Sequence, residues 1–104
     1  MNTNHEKKYN NRVKILKAMA HPTRLVIIDE LLKQELCVRE LNEIVGGDMS
    51  TVSKHLSILK NASLIIPDKR KNQVFYKIDA TCVTKIIDCT DNIIKIKMQE
   101  NLEI

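Results

Sequence analysis

The chain has 104 residues, which is one domain with a single modest core. Two tyrosines, one phenylalanine, two glycines and two prolines point to a mainly helical protein and away from a sandwich or barrel. No stretch approaches the ~20 apolar residues of a membrane span, and the polar start MNTNHEKKYNNR does not read as a signal peptide. The default location is therefore cytoplasmic, where three cysteines are expected as free thiols or metal ligands rather than disulfides.

In chain order, residues 1–6 are expected to fray. A first helix is predicted from about Lys8 to Ala20, with Val13, Leu16 and Ala20 on one face. His21-Pro22 breaks it, and Pro22 suits the first turn of the next helix, where its missing N–H is no loss. That helix, Thr23 to about Lys33, carries Leu25, Val26, Ile27, Ile28, Leu31 and Leu32 and reads as the central core helix.

Residues 38–61, VRELNEIVGGDMSTVSKHLSILKN, then organise the chain. Val38, Leu41, Ile44 and Val45 mark one face of a short helix. Gly46 and Gly47 stop it, because glycine readily takes positive φ. Asp48 is placed to cap the next helix with its carboxylate. That helix turns Val52, Leu56 and Leu59 inward and offers Ser50, Thr51, Ser53, Lys54 and Ser57 outward, with His55 also on it. Short hydrogen-bonding side chains and one cation fit a DNA major groove, and helix, glycine turn, polar-faced helix is the helix-turn-helix pattern. A plain αα-hairpin with a solvated outer face is the competing reading of this stretch.

After Asn61 the period changes. Leu64-Ile65-Ile66 and Gln73 to Ile78 read as strands around the polar turn Lys69-Arg70-Lys71-Asn72, with Pro67 marking an edge strand. A hairpin directly after a reading helix is the wing of a winged helix, and its basic tip suits a phosphate backbone. A last helix, capped by Asp79 or Thr81, runs to about Met98. It carries two apolar stripes, more than one small core covers, which points to a subunit interface.

The net charge of +4 is local. Residues 46–78 hold six cations (Lys54, Lys60, Lys69, Arg70, Lys71 and Lys77) against Asp48 and Asp68, while the rest balances at 11 of each sign. Phosphate binding needs such a concentration.

The segments LKAMAHPTRLVIIDELL (16–32), ELCVREL (35–41), STVSKHLSILKNA (50–62) and VFYKI (74–78) resemble the ArsR/SmtB family of arsenic- and metal-responsive repressors. The resemblance covers roughly residues 12–88 in the expected order. It implies a single winged-helix domain over 1–104, mainly α with a small β-hairpin in the order α-α-α-α-β-β-α. It implies a homodimer formed by the first and last helices, bound to a pseudo-palindromic operator in double-stranded DNA and released by an inducer. It also implies DNA contacts from Ser50, Ser53 and Lys54. The wider DNA-binding set comprises Ser50, Thr51, Ser53, Lys54, His55, Lys69, Arg70 and Lys71.

The chain departs from the family pattern in three ways. Many members read ELCVCDL, with two cysteines that bind arsenite or a soft ion, whereas this chain has Cys37 and then Arg39. The family's zinc site on the last helix maps onto Ala80 and Cys82, with partner ligands near Ile93 and Ile96, so that site is absent. Ser63 stands where glycine is usual, which bears on the turn there.

Cys37, Cys82 and Cys89 are the candidate thiol or metal sensor, since As(III), Cd(II) and Pb(II) prefer thiolates. Cys82 and Cys89 lie about 10 Å apart along an intact helix, too far to share an ion whose bonds to sulfur are ~2.3 Å or to form a disulfide. Cys37 must then pair with one of them, or the helix must rearrange. No nucleophile–base arrangement or phosphate loop marks an enzyme, and DNA binding needs no cofactor. Three outcomes stay open: release by As(III) or a soft metal ion, a redox or persulfide-sensing repressor of the same fold, and an inducer-free DNA-binding protein.

Overall fold

The structure, a computed structural model, describes residues 1–79 and 81–101. Helix α1 spans Thr3–Met19, α2 Pro22–Lys33, α3 Val38–Val45, α4 Met49–Asn61 and α5 Val83–Gln99. Strands are β1 Leu36–Cys37, β2 Ile65–Arg70 and β3 Gln73–Ile78, forming an antiparallel sheet in the order β1-β3-β2. This is the expected winged-helix order with one addition, the two-residue β1, whose Leu36 and Cys37 pair with Tyr76 and Phe75.

The N-terminus is helical rather than frayed. Asn2 caps α1, its side-chain oxygen accepting from the His5 N–H at 2.9 Å, which satisfies one of the orphan donors of a helix start. Pro22 takes the first position of α2 as expected, and His21 is the cap, its Nδ1 accepting from the Thr23 N–H at 3.1 Å.

The core lies where α2, α3, α4 and the sheet meet. Ile27, Ile28, Leu31, Leu36, Leu41, Val52, Leu56, Leu59, Leu64 and Ile65 are all buried, and each large one contributes about 1.5–3 kcal/mol by leaving water. Helix α1 buries Ala18 and Met19, and the face read from the sequence, Val13, Leu16 and Ala20, is exposed. Leu25 and Val26 on α2 and Ile44 on α3 are exposed as well. A single period locates one apolar face but not which neighbour covers it.

Two turns decide how α4 is held. Gly46 and Gly47 both have positive φ, 82° and 83°, and so provide the break between α3 and α4. Asp48 is at the cap position of α4 with extended backbone, but its carboxylate makes no capping hydrogen bond. At the far end, Ser63 N–H donates to the Lys60 carbonyl at 2.9 Å and Leu64 N–H to the Leu59 carbonyl at 3.0 Å. These paired bonds close a Schellman turn and put Ser63 at φ 61°, the left-handed conformation that glycine favours. Ser63 thus keeps the glycine geometry at a steric cost of about 1–2 kcal/mol.

The hairpin pairs Ile65 with Ile78 through Arg70 with Gln73, so the strands include Lys69 and Arg70 and leave only Lys71-Asn72 as the turn. Pro67 sits within β2, the sheet's edge, where a residue without an N–H is tolerated. Helix α5 begins at Val83 with Cys82 as its cap, rather than being capped by Asp79 or Thr81, and no side chain bonds there.

Candidate nucleic-acid interface

Helix α4 presents two unlike faces. Val52, Leu56 and Leu59 are buried, while Ser50, Thr51, Ser53, Lys54 and Ser57 are exposed. The inner face fixes the helix to the core, so the outer hydroxyls and the Lys54 ammonium are held on a rigid element. Met49, in the first turn, is 48% exposed. It adds an apolar side chain suited to a thymine methyl. The sequence pattern gave no reason to single it out.

His55 belongs to a different environment. It is partly buried, its ring centroid 4.5 Å from that of His21, with Arg24 Nη1 3.2 Å from its Nδ1. Arg24 also donates from Nε to the Ala18 carbonyl at 2.6 Å and from Nη2 to the Lys17 carbonyl at 3.2 Å. One guanidinium therefore closes the end of α1 and meets the reading helix. Partial burial first, then the charges of His21 and Arg24, push the His55 pKa below its ordinary 6.5. Neutral His55 can accept from Arg24; protonated His55 cannot. The contribution of Arg24 and His21 was not visible in the sequence, because it depends on a corner between two helices and not on a period.

The three cations of the wing divide into two kinds. Arg70 donates from Nε to Asp68 Oδ2 at 2.9 Å, pairs through another guanidinium nitrogen with Glu35, and lies 4.6 Å over the Phe75 ring. These two carboxylates raise its pKa further and engage its Nε and one of its Nη donors. Arg70 therefore ties the wing to the residue before β1. Lys69 and Lys71 are exposed and carry no ion pair among the described residues, so their charge is free for phosphates. Lys71 adopts φ 55° at the hairpin tip.

The cysteines are dispersed. Cys37 is buried, paired in β1 and capping α3: Cys37 and Glu40 form a capping box in which the Cys37 N–H donates to Glu40 Oε1 at 3.0 Å. That bond holds the Glu40 carboxyl below its ordinary range. Cys82 and Cys89 are exposed. Cys82 keeps helical backbone, φ −66° and ψ −14°, so its separation from Cys89 stays near 10 Å. No group of three or more His, Cys, Asp or Glu side chains among the described residues is placed to hold a metal ion. Ala80, the other position matched to the family's zinc ligands, lies outside the described residues. No helix among the described residues is long and apolar enough to cross a membrane.

Known proteins agree with this geometry. Residues 21–66 match the family described as bacterial regulatory protein, arsR family. The nodulation protein NolR of Rhizobium meliloti is 36% identical over 78 residues, which are 75% of this chain and 64% of that protein, so the chain spans less than two thirds of that relative. The transcriptional activator HlyU of Vibrio cholerae is 37% identical over 80% of this chain and 77% of its own length. The crystal structure of NolR from Sinorhizobium fredii superposes with a TM-score of 0.82 at 30% identity, covering 89% of this chain and 93% of that one. The matched family is one of bacterial regulatory proteins, and HlyU is named a transcriptional activator. With the winged-helix order and the helix-turn-helix both in place, the chain belongs to the ArsR/SmtB family of winged-helix transcriptional regulators.

Proposed function

We propose that this protein is a homodimeric repressor that binds a pseudo-palindromic duplex operator and is released by a thiol-reactive inducer, As(III) or a soft metal ion. The observation that carries the DNA-binding part is the two-faced α4, with Ser50, Ser53 and Lys54 exposed over a buried Val52, Leu56 and Leu59, beside a wing whose Lys69 and Lys71 are unpaired. Helix α4 enters the major groove and the wing lies on the neighbouring backbone or minor groove. DNA binding in this reading needs no cofactor. HlyU, a relative, is named an activator, so repression is the sense of control to be tested on a reporter gene.

Cys37 is the thiol we assign to inducer sensing, because of its position at the start of α3. It is the N-cap of that helix, and its N–H donates to the Glu40 carboxylate. A ligand on the sulfur sits beside the Cys37–Glu40 bond that caps α3, and α3 connects to α4 through only Gly46, Gly47 and Asp48. The inducer then favours a state in which α4 no longer fits DNA, and it can do so only by binding that state better. The second thiol is Cys82 or Cys89 of either subunit, or the ligand rests on Cys37 alone.

The test is a titration of the reduced protein on operator DNA with arsenite, Cd(II), Zn(II) and polysulfide, using wild type and Cys37→Ser. Wild type is expected to dissociate with arsenite or Cd(II), and Cys37→Ser to stay bound. Dissociation by polysulfide alone would move the assignment to persulfide sensing. A Cys37→Ser protein that leaves DNA at the wild-type arsenite concentration would remove Cys37 from the mechanism.

A further inference from the structure

A cavity of about 320 Å³ opens between the first turns of α3 and α4 and the tip of the wing. Cys37, Arg39, Met49, Asn72 and Gln73 are among its lining residues. We propose that this cavity seats the operator's sugar–phosphate backbone where it passes between the two grooves, with Arg39 as the cation that binds the phosphate. The inference rests on the reading of α4 and the wing as the DNA-contacting elements.

The geometry requires something of this kind. A helix in the major groove and a wing at the adjacent minor groove have one sugar–phosphate strand between them, since that strand is what separates the grooves. It must cross the surface that joins α4 to the wing. In this protein that surface is the cavity, because Met49 opens α4 and Asn72 and Gln73 form the wing tip.

The chemistry of the lining fits a phosphate. Arg39 is exposed and forms no ion pair or hydrogen bond among the described residues, unlike Arg70 and Arg24. Its planar guanidinium can grip two phosphate oxygens at once. No carboxylate lines the cavity, and the Asn72 and Gln73 amides offer further donors. Of the neighbouring acids, Glu40 already accepts from the Cys37 N–H, and Asp48 is not part of the lining.

The experiment maps phosphate contacts. Wild type, Arg39→Gln and Arg39→Lys are compared for operator affinity over a range of salt, and each is probed by ethylation interference, which finds the phosphates whose alkylation blocks binding. Arg39→Gln is expected to weaken all sequences alike and to reduce the salt slope by about 0.9, one phosphate contact. It should also lose interference at a phosphate between the major-groove half-site and the wing. Arg39→Lys should keep the slope and most of the interference. Unchanged slope and an unchanged interference pattern in Arg39→Gln, with wild type binding selectively, would overturn this inference and leave the proposed function standing. Weaker binding with the full interference pattern retained would overturn it too. A wild-type protein that binds no duplex selectively would bring down both readings.

Discussion

At the residue scale, two positions turn local geometry into measurable stability. Ser63 carries a left-handed backbone because the Schellman turn after α4 demands it. Glycine there would relieve about 1–2 kcal/mol of steric cost against about 0.5–1 kcal/mol of added chain entropy. Ser63→Gly should therefore raise stability by roughly 0.5–1 kcal/mol, read by urea unfolding; a destabilised variant would mean the serine hydroxyl supports the turn. The sequence marked this position as a departure from the family's glycine, and the φ angle explains both the preference and the tolerated exception.

His55 supplies a pH dependence whose sign follows from its lowered pKa. Above the ordinary 6.5, His55 is neutral in both folded and unfolded chains, and its stabilising contact with Arg24 is intact. As pH falls below 6.5, the unfolded chain takes up a proton that the folded one resists, so stability declines until the folded-state pKa is passed. His55→Gln should flatten stability against pH in that window, as followed by chemical denaturation at a series of pH values. An equally steep profile in the variant would assign the dependence to another group. By its place on α4 alone, His55 groups with the DNA-facing residues. Its environment depends on His21 and Arg24, which are 34 and 31 positions away in sequence and adjacent only in the fold.

At the scale of elements, α4 and its wing were legible because their signals are local. The buried trio at 3- and 4-residue spacing fixed the face of α4, and the double glycine fixed the turn before it. Strand β1 was not legible, since two residues between helices have no period; it exists because Leu36 and Cys37 find Tyr76 and Phe75 on β3. The same pairing explains the altered role of Arg70. Residues Asp68, Arg70, Phe75, Cys37 and Glu35 fall on one face of the sheet by strand alternation and register. Arg70 is thereby brought to Glu35, which a reading of the basic run could not foresee.

This division of the wing gives a paired prediction. Lys71→Ala should reduce the salt slope of DNA binding by about 0.9 and weaken all sequences alike, leaving thermal stability unchanged. Arg70→Ala should leave the slope unchanged but lower the melting temperature, because it releases the tie between the wing and Glu35. Salt titrations by fluorescence anisotropy, with thermal melts of the same samples, decide it. If Arg70→Ala lowered the slope and Lys71→Ala did not, the assignment of the free and tied cations would be reversed.

At the scale of the whole molecule, one chain leaves apolar surface uncovered. Its radius of gyration is 15.8 Å, against about 13 Å for a compact domain of this length. Val83 is the one fully buried residue that α5 contributes to the described core, while Ile93, Ile94, Ile96 and Met98 stay exposed. On α1, Tyr9, Val13 and Leu16 are exposed as well. An apolar surface of this kind on two long helices calls for a partner, and a second copy packed about a two-fold axis would cover it with the same surface. The two stripes read on the last helix pointed to this surplus. The face read on the first helix is exposed too, and a period alone cannot tell a core from an interface.

A two-fold dimer with one α4 per subunit makes a geometric demand on its DNA: two inverted half-sites on one face of the duplex, about 34–36 Å apart or a multiple of that spacing. The most direct test of the account is therefore selection of bound duplexes from a fully randomised pool by the purified, reduced protein, followed by sequencing. The result predicted is enrichment of a pseudo-palindrome with half-sites at that spacing. A pool that shows no enrichment, or that converges on a single unrepeated half-site, would contradict it.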